Sequence, residues 1–273
     1  MGKTRLCSSK ELDIVKTFEC GQCFRWNAQE DGSYIGTFAG MVARLEEIDG
    51  EVYITNSGRL DIDAWRDYFD LDLDYARASA SFDGGEYLRL CAEFGAGIRI
   101  LRQDKWEALC SFIISQCNNI PRIKKIVESL CELFGDEISF DGKIYYSFPS
   151  AARLAVLSPE DLAPLRSGYR AVYIIDAAKK VASGELDLEN VARMETEKAR
   201  AALMSINGVG AKVANCAVLF GLHHMHAFPV DVWIKRALSE HFPKGFDPAV
   251  LGDYAGLAQQ YIFYYARSGG GKT

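Results

Sequence analysis

Two residues have the type and spacing to do chemistry as a pair. Lys212 lies in INGVGAKVANC, residues 206 to 216, directly after a Gly-Val-Gly turn and ahead of an almost wholly apolar or small run. A lysine in the first turn of a helix faces the positive end of the helix dipole, and its neighbours Val209, Val213 and Ala214 offer little solvation. Both effects favour the neutral amine, which is a nucleophile suited to attack a sugar or carbonyl carbon and form a Schiff base. Such an amine needs a carboxylate that stays ionised nearby. The stretch AFPVDVWIKRAL supplies Asp231, nineteen residues beyond the lysine. Pro229 stops the preceding segment, and Asp231 then stands as the N-cap of a helix containing Ile234 and Leu238. Backbone N–H bonds at that position keep a carboxylate charged even when it is partly buried.

The elements that must position this pair are readable from the same pattern. ETEKARAALMSI reads as a helix, INGVGA as a tight turn and KVANCAVLFG as a second helix. Gly208 and Gly210 let another molecule approach the main chain, and free N–H groups at a helix N-terminus favour a phosphate. This is a helix-hairpin-helix that would grip a DNA backbone without reading bases, although an ordinary helical hairpin with a glycine cap fits the same letters. DAWRDYF, YLRLCAEF, DKWEALCSFIISQ, PRIKKIVESLCELFG and SPEDLAPL space their apolar residues by three and four, with Ser158 before Pro159 and Asp161 three on resembling an N-cap, and the remainder to Ala266 also reads as helix apart from a short hairpin at SFDGKIYY. Ahead of them, YIGTFAG, MVARLEEI and EVYIT alternate as strands, with Asp49-Gly50 as a two-residue hairpin signal. The fold class is therefore α+β: a small antiparallel β-rich domain, residues 1–100, followed by a larger helical domain, residues 101–273.

Composition narrows the partners. At 273 residues and 49% hydrophobic content the chain can build a sizeable core. No apolar run reaches the roughly 18 residues that span a bilayer, and MGKTRLCSSKELD lacks the apolar core of a signal peptide, so a soluble, non-exported protein is expected. The eight cysteines are scattered, several within apolar segments, as in a reducing compartment. Cys20 and Cys23 form a CxxC without a second pair, and the stretch around them reads as a strand. No cysteine follows Cys216, which excludes a C-terminal iron-sulfur cluster. The net charge of −6 taken as a sum opposes a nucleic-acid partner, but residues 45 to 95 hold 13 acidic against 4 basic residues, leaving 24 and 27 in the rest. The tail SGGGKT is expected to be disordered.

The Gly-Val-Gly hairpin, its lysine and the later Pro-Val-Asp resemble the helix-hairpin-helix Gly/Pro/Asp superfamily of base-excision glycosylases. GQCFRW at 21–26, LRQD at 101–104, SQCNNIPRI at 115–123, SGYRAVYI at 167–174 and YAGLAQQYIF at 254–263 narrow the resemblance to the 8-oxoguanine DNA glycosylase family. The resemblance implies that the protein flips 8-oxoguanine out of duplex DNA and cleaves its glycosidic bond. Lys212 would attack C1′ and Asp231 would stabilise the oxocarbenium-like charge, the Schiff base then permitting β-elimination. Gly21, Cys216, Pro229, Gln259 and Phe263 would bind the lesion. The Gly21 carbonyl would accept the N7 hydrogen that guanine lacks, Cys216 and Phe263 would sandwich the base, and Gln259 would bond its Watson-Crick edge. Arg122 and Arg170 would read the orphaned cytosine, with Tyr169 wedged beside it and Asn118, Gly208, Gly210 and Trp233 also on the DNA. No cofactor or catalytic metal is implied. A structural cation at the carbonyls of Met204, Ile206 and Val209 is.

Two positions depart from the family pattern. Cys117 stands where an asparagine also contacts the cytosine, and a thiol is a poor hydrogen-bond partner, so cytosine discrimination should weaken. Trp233 stands where many relatives carry histidine. The implied partner is double-stranded DNA containing 8-oxoguanine, acted on by a monomer, in the cytoplasm and nucleoid if the source is bacterial. The alternatives are a glycosylase of this fold for other damaged bases and a DNA-binding module without chemistry.

Overall fold

The computed structural model describes residues 2–58, 61–82 and 85–270. Strands β1 (Thr4–Ser8), β2 (Asn27–Ala28), β3 (Tyr34–Phe38), β4 (Met41–Ile48) and β5 (Glu51–Asn56), with helix α1 (Ile14–Glu19) after β1, form the first part. The sheet is antiparallel throughout, in the order β1-β5-β4-β3-β2. Asp49 and Gly50 join β4 to β5 with φ of 52° and 80°, the left-handed pair a two-residue hairpin requires. Strand β5 buries Val52, Ile54 and Asn56 in strict alternation, so the sheet has one apolar face. That face closes over Phe18, Trp26, Trp65 and Phe69, with Phe18 stacked on Trp26 at 4.3 Å between centroids.

Helices follow: α2 (Ile62–Tyr68), α3 (Tyr75–Ala80), α4 (Gly85–Gly95), α5 (Lys105–Ile114), α6 (Ile120–Phe134), α7 (Ala151–Ala155), α8 (Arg170–Ala182), α9 (Leu188–Ala192), α10 (Thr196–Leu203), α11 (Ala211–Phe220), α12 (Val232–His241) and α13 (Ala255–Arg267). The hairpin β6 (Glu137–Phe140) and β7 (Lys143–Tyr146) interrupts them as expected. Helix α5 is buried at Trp106 and from Ala108 to Ile114, so it forms the axis on which α6, α8 and α11 pack. Helix α4 joins this larger core by laying Gly95 beneath the ring of Tyr261 on α13. A side chain at Gly95 would fall on that ring.

Several local readings need correction. Cys20 and Cys23 do not lie in a strand: Cys20 caps α1 and Cys23 follows in the turn, both buried free thiols. SPEDLAPL is not an α-helix either. Ser158 and Asp161 do exchange the expected capping bonds, at 2.8 Å from the Ser158 N–H, but only a 3-10 turn follows at Ala163–Leu165. Pro164 carries no N–H to extend a helix, and Arg166 turns left-handed at φ 51°. The segment between α11 and α12 is likewise coil, and residues 248–254 form a kinked 3-10 turn ahead of α13. Residues 271–273 of the tail lie outside the described residues.

A buried polar seam fastens the sheet part to the helices. Gln22 accepts from the N–H of Leu101 at 2.9 Å and donates to the carbonyl of Arg99 at 2.6 Å, and Gln103 donates to the carbonyl of Gln22 at 2.8 Å. Deeper in, Asp70 accepts from Tyr75 at 2.8 Å and Arg102 at 2.7 Å and meets His223 at 3.4 Å. Burial alone would push the Asp70 carboxyl up, but the bonds from His223 and Tyr75 and the charge of Arg102 outweigh it and hold the group down at about 2, against an ordinary 3.8. A depressed carboxyl contributes stability above its unfolded value and loses it as pH falls through its folded one. Asp70→Asn is therefore expected to cost about 2 kcal/mol near neutrality, the deficit shrinking as pH falls from about 4 to about 2. Urea titrations across that range measure it, and a deficit independent of pH would assign the effect to packing instead of charge.

Candidate active site

The turn from α10 to α11 is held from inside by Leu203, Ile206 and Val209, all buried. The Val209 N–H closes it by donating to the Ile206 carbonyl at 3.1 Å. Gly208 needs its left-handed φ of 74°, and a Cβ there would enter the ring of Tyr173. Gly210 caps α11 without a side chain, so no side-chain acceptor competes for the first N–H groups of the helix. Helix α11 buries Val213, Ala214 and everything from Cys216 to Phe220, while Lys212 sits exposed on its first turn. The expected desolvation of Lys212 by Val209, Val213 and Ala214 is thus absent in the free protein. Those three side chains point into the core, and the lysine leaves the helix on the other side.

Asp231 is the N-cap of α12, as its sequence context predicts. Its Oδ1 accepts from the N–H groups of Trp233 at 3.0 Å and Ile234 at 2.9 Å, which leaves Oδ2 free of the cap. Cys216 lies one helical turn beyond Lys212, in the buried part of α11. Burial pushes this thiol up, the Lys212 ammonium draws it down by charge and by a hydrogen-bonding contact, and the Asp231 carboxylate pushes it up again. The fields of both charges reach one buried thiol.

A second cluster comes from the sheet part and α13. Gly21 adopts φ 81°, and a Cβ on it would come within 3.4 Å of Phe263 and 3.2 Å of Ile120. Gln260 donates to the Cys20 carbonyl at 2.7 Å and Arg267 donates to the Glu19 carbonyl, so α13 holds the Gly21 turn in place. Gln259, one turn before Phe263, is buried, and its Oε1 has no hydrogen-bond partner. The guanidinium of Arg267 lies 5.7 Å from the Phe263 ring centroid, and its Nη1 is likewise buried and unpartnered. Unpaired buried polar atoms are costly, and here an acceptor and a donor stand beside an apolar ring. Ile120, Gln260 and Arg267 escaped the sequence reading because nothing local marks them. Only the docking of α6, which carries Ile120, and of α13, which carries the other two, brings them to Gly21.

The third cluster surrounds the turn between α5 and α6. Cys117 is exposed with φ 46°, and Asn118 donates back to the Ile114 carbonyl at 3.2 Å. Arg122 is exposed, with Nη2 donating to the Arg166 carbonyl at 3.1 Å. Tyr169 is half exposed, and its phenol is pushed up first by burial and then by Cys117. Arg170 behaves differently from Arg122: it is buried, and its donors reach the carbonyls of Gln116, Cys117 and Ser167 while the guanidinium lies 4.6 Å over the Tyr169 ring. In the free protein Arg170 braces this turn and the base of Tyr169. Pro229 is buried just ahead of the cap, whereas Trp233, with Val230 and Val232, is exposed around Asp231. None of these groups lines the 910 Å³ cavity near α3 and α4, which Tyr75, Leu88 and Arg99 help to form.

Residues 5–109 match the model of the 8-oxoguanine DNA glycosylase N-terminal domain, and residues 110–246 match that of the HhH-GPD superfamily base excision DNA repair protein. The chain belongs to the 8-oxoguanine DNA glycosylase family. Within that family it resembles the N-glycosylase/DNA lyase OGG1 of Arabidopsis thaliana, 31% identical over 93% of this chain and 77% of the relative. It also matches the N-glycosylase/DNA lyase of Saccharomyces cerevisiae, 43% identical over 51% of this chain but only 40% of that protein's length. The structure of MBOgg1 in complex with a low affinity DNA ligand superposes with a TM-score of 0.91, 44% identity and coverage of 98% and 96% of the two chains. The Clostridium acetobutylicum 8-oxoguanine glycosylase/lyase, bound to duplex DNA with cytosine opposite 8-oxoguanine, gives 0.89, 37% and coverage of 95% and 93%.

The left-handed backbone at Gly21 yields a direct test within this family fold. Gly21→Ala is expected to cost about 1 kcal/mol, because an L-residue resists that conformation. Chemical denaturation measures it, and an unchanged midpoint would show that the turn relaxes freely.

Proposed function

We propose that this chain is a bifunctional DNA glycosylase and AP lyase that removes 8-oxoguanine from duplex DNA. What supports the proposal is the match of both parts of the chain to this family, together with a nucleophile on α11 and an anion on α12 whose fields both reach the buried Cys216 thiol. Lys212 loses its proton and attacks C1′, and the bond from C1′ to the base breaks as positive charge develops on the sugar ring. The Asp231 carboxylate, fixed by two backbone bonds, is preorganised to stabilise that charge. The departing base takes up a proton, the C1′–O4′ bond then opens with protonation of O4′ to leave the Schiff base, and loss of a proton from C2′ expels the 3′ phosphate and nicks the strand.

The lesion would lie between Cys216 and Phe263, with the Gly21 carbonyl accepting its N7 hydrogen and the unpartnered Gln259 bonding its Watson-Crick edge. Pro229 would line the approach to Asp231. Gly208 and Gly210 would present backbone N–H groups to a phosphate, with the indole N–H of Trp233 as a further donor. The Met204 and Val209 carbonyls accept no turn hydrogen bond among the described residues, which suits a cation held with Ile206. Opposite the lesion, Arg122 and Asn118 are the groups available to the orphaned cytosine, and Arg170 would join them only by releasing its carbonyl partners. The acidic stretch from β4 to α4 contributes none of these residues, which removes the objection from net charge. No helix among the described residues is long and apolar enough to cross a membrane. The reading is of a monomer, acting in the cytoplasm on the nucleoid if the source is bacterial. We keep residues 1–100 and 101–273 as the two sequence units.

Borohydride is expected to trap a covalent adduct between the wild-type protein and an 8-oxoguanine duplex, and Lys212→Gln to abolish adduct and nicking while DNA affinity survives. A folded wild type that yields no adduct would favour a binding module, and release of 3-methyladenine without 8-oxoguanine would favour a different substrate. Because Cys117 replaces an amide, excision opposite adenine or thymine is expected within about tenfold of that opposite cytosine, roughly 1.4 kcal/mol. Single-turnover rates on the paired duplexes decide this, and a much larger preference would mean that the arginines suffice.

A further inference from the structure

One face of α8 is built to hold the DNA-gripping turn. Tyr169, Tyr173, Asp176 and Lys180 follow one another at spacings of four, three and four along the helix, which aligns them in a single stripe. Each makes contact along that line. Tyr169 and Tyr173 pack edge to face at 5.6 Å between centroids. The Tyr173 ring covers Gly208, the position where a side chain is forbidden. Asp176 Oδ2 accepts from the N–H of Asn207 at 2.8 Å, and the same oxygen pairs with Lys180 Nζ at 3.1 Å. Lys180 in turn donates to the Ser205 carbonyl at 2.5 Å. The turn is therefore fixed to α8 at Ser205, Asn207 and Gly208 by an ammonium, a carboxylate and a ring.

The helix itself has little freedom. Its opposite face buries Ala171, Ile174, Ile175, Ala177 and Ala178, and Arg170 binds its first turn to the carbonyls of Gln116 and Cys117. We infer that Tyr173, Asp176 and Lys180 are positioning residues that lock the phosphate-gripping turn to Tyr169, so that grip and wedge engage DNA at one fixed spacing. This inference rests on the proposed function for the roles of its two ends. A flipped nucleotide leaves a gap in the stack at a set distance from the phosphate beside it, so fixed spacing favours DNA already opened over intact duplex. Neither contact need change in strength for the preference to be lost. Only their simultaneity must fail.

The test is binding, without catalysis. Fluorescence anisotropy of the full chain with a duplex carrying a tetrahydrofuran abasic analogue opposite cytosine, and with the same duplex undamaged, gives a preference ratio for each variant. Asp176→Ala, Lys180→Ala and Tyr173→Ala are expected to lower that ratio about tenfold while undamaged-duplex affinity changes less than about threefold. Tyr173→Phe, which keeps the ring, is expected to retain the wild-type ratio. A merely destabilised fold would scale both affinities together through the active fraction, and that outcome, or unchanged ratios in Asp176→Ala and Lys180→Ala, overturns the inference. Should Tyr173→Ala not fold, those two polar variants carry the test alone. A wild type without any preference for the abasic duplex also overturns it. A wild type that prefers the abasic duplex through these residues yet never excises 8-oxoguanine would instead sink the proposed reaction and support the coupling.

Discussion

The proposed chemistry depends on two helix N-termini, those of α11 and α12, whose charged residues both act on one buried thiol. Each mouth is a region of positive potential, which favours an anion there. The carboxylate of Asp231 is fixed to its own helix by two backbone bonds. Helix α11 can bring its mouth there only because its remaining length is buried against α5 and α10. The core sets the direction of the helix, and the direction sets the chemistry.

The sheet part serves this arrangement from a distance. It contributes Gly21, whose backbone must be left-handed and approachable, and α13 holds that turn through Gln260 and Arg267. The side-chain amides of Gln22 and Gln103 and the charged group around Asp70 tie the same region to the strand-like stretch before α5. Such a seam is demanding, since every buried donor needs an acceptor at the right place. It fixes position where an apolar interface would tolerate sliding.

Much of this was legible in the sequence, and the failures have physical causes. The hairpin, the Asp231 cap and the Asp49-Gly50 turn are local chemistry, written within a few residues. Strand β1 was not legible, since it is five residues long and exists by pairing Thr4 with Ile54 across the chain. The capping pair at Ser158 and Asp161 was read correctly, but a cap does not guarantee the helix behind it. Exposure of Lys212 and burial of Arg170 could not be read from their neighbours, because both follow from which side of a helix the rest of the protein covers. Arginine in particular hides well when carbonyls surround it.

Of the eight cysteines, seven are buried and only Cys117 is exposed. It stands in a left-handed turn against Tyr169, on the face assigned to the opposite strand. The native chain thus carries a single accessible attachment point for a maleimide dye, with no other thiol to compete. A fluorophore placed there would sense arrival and departure of a duplex in the unaltered molecule. The same accessibility makes that turn the first part of the protein an electrophile would meet.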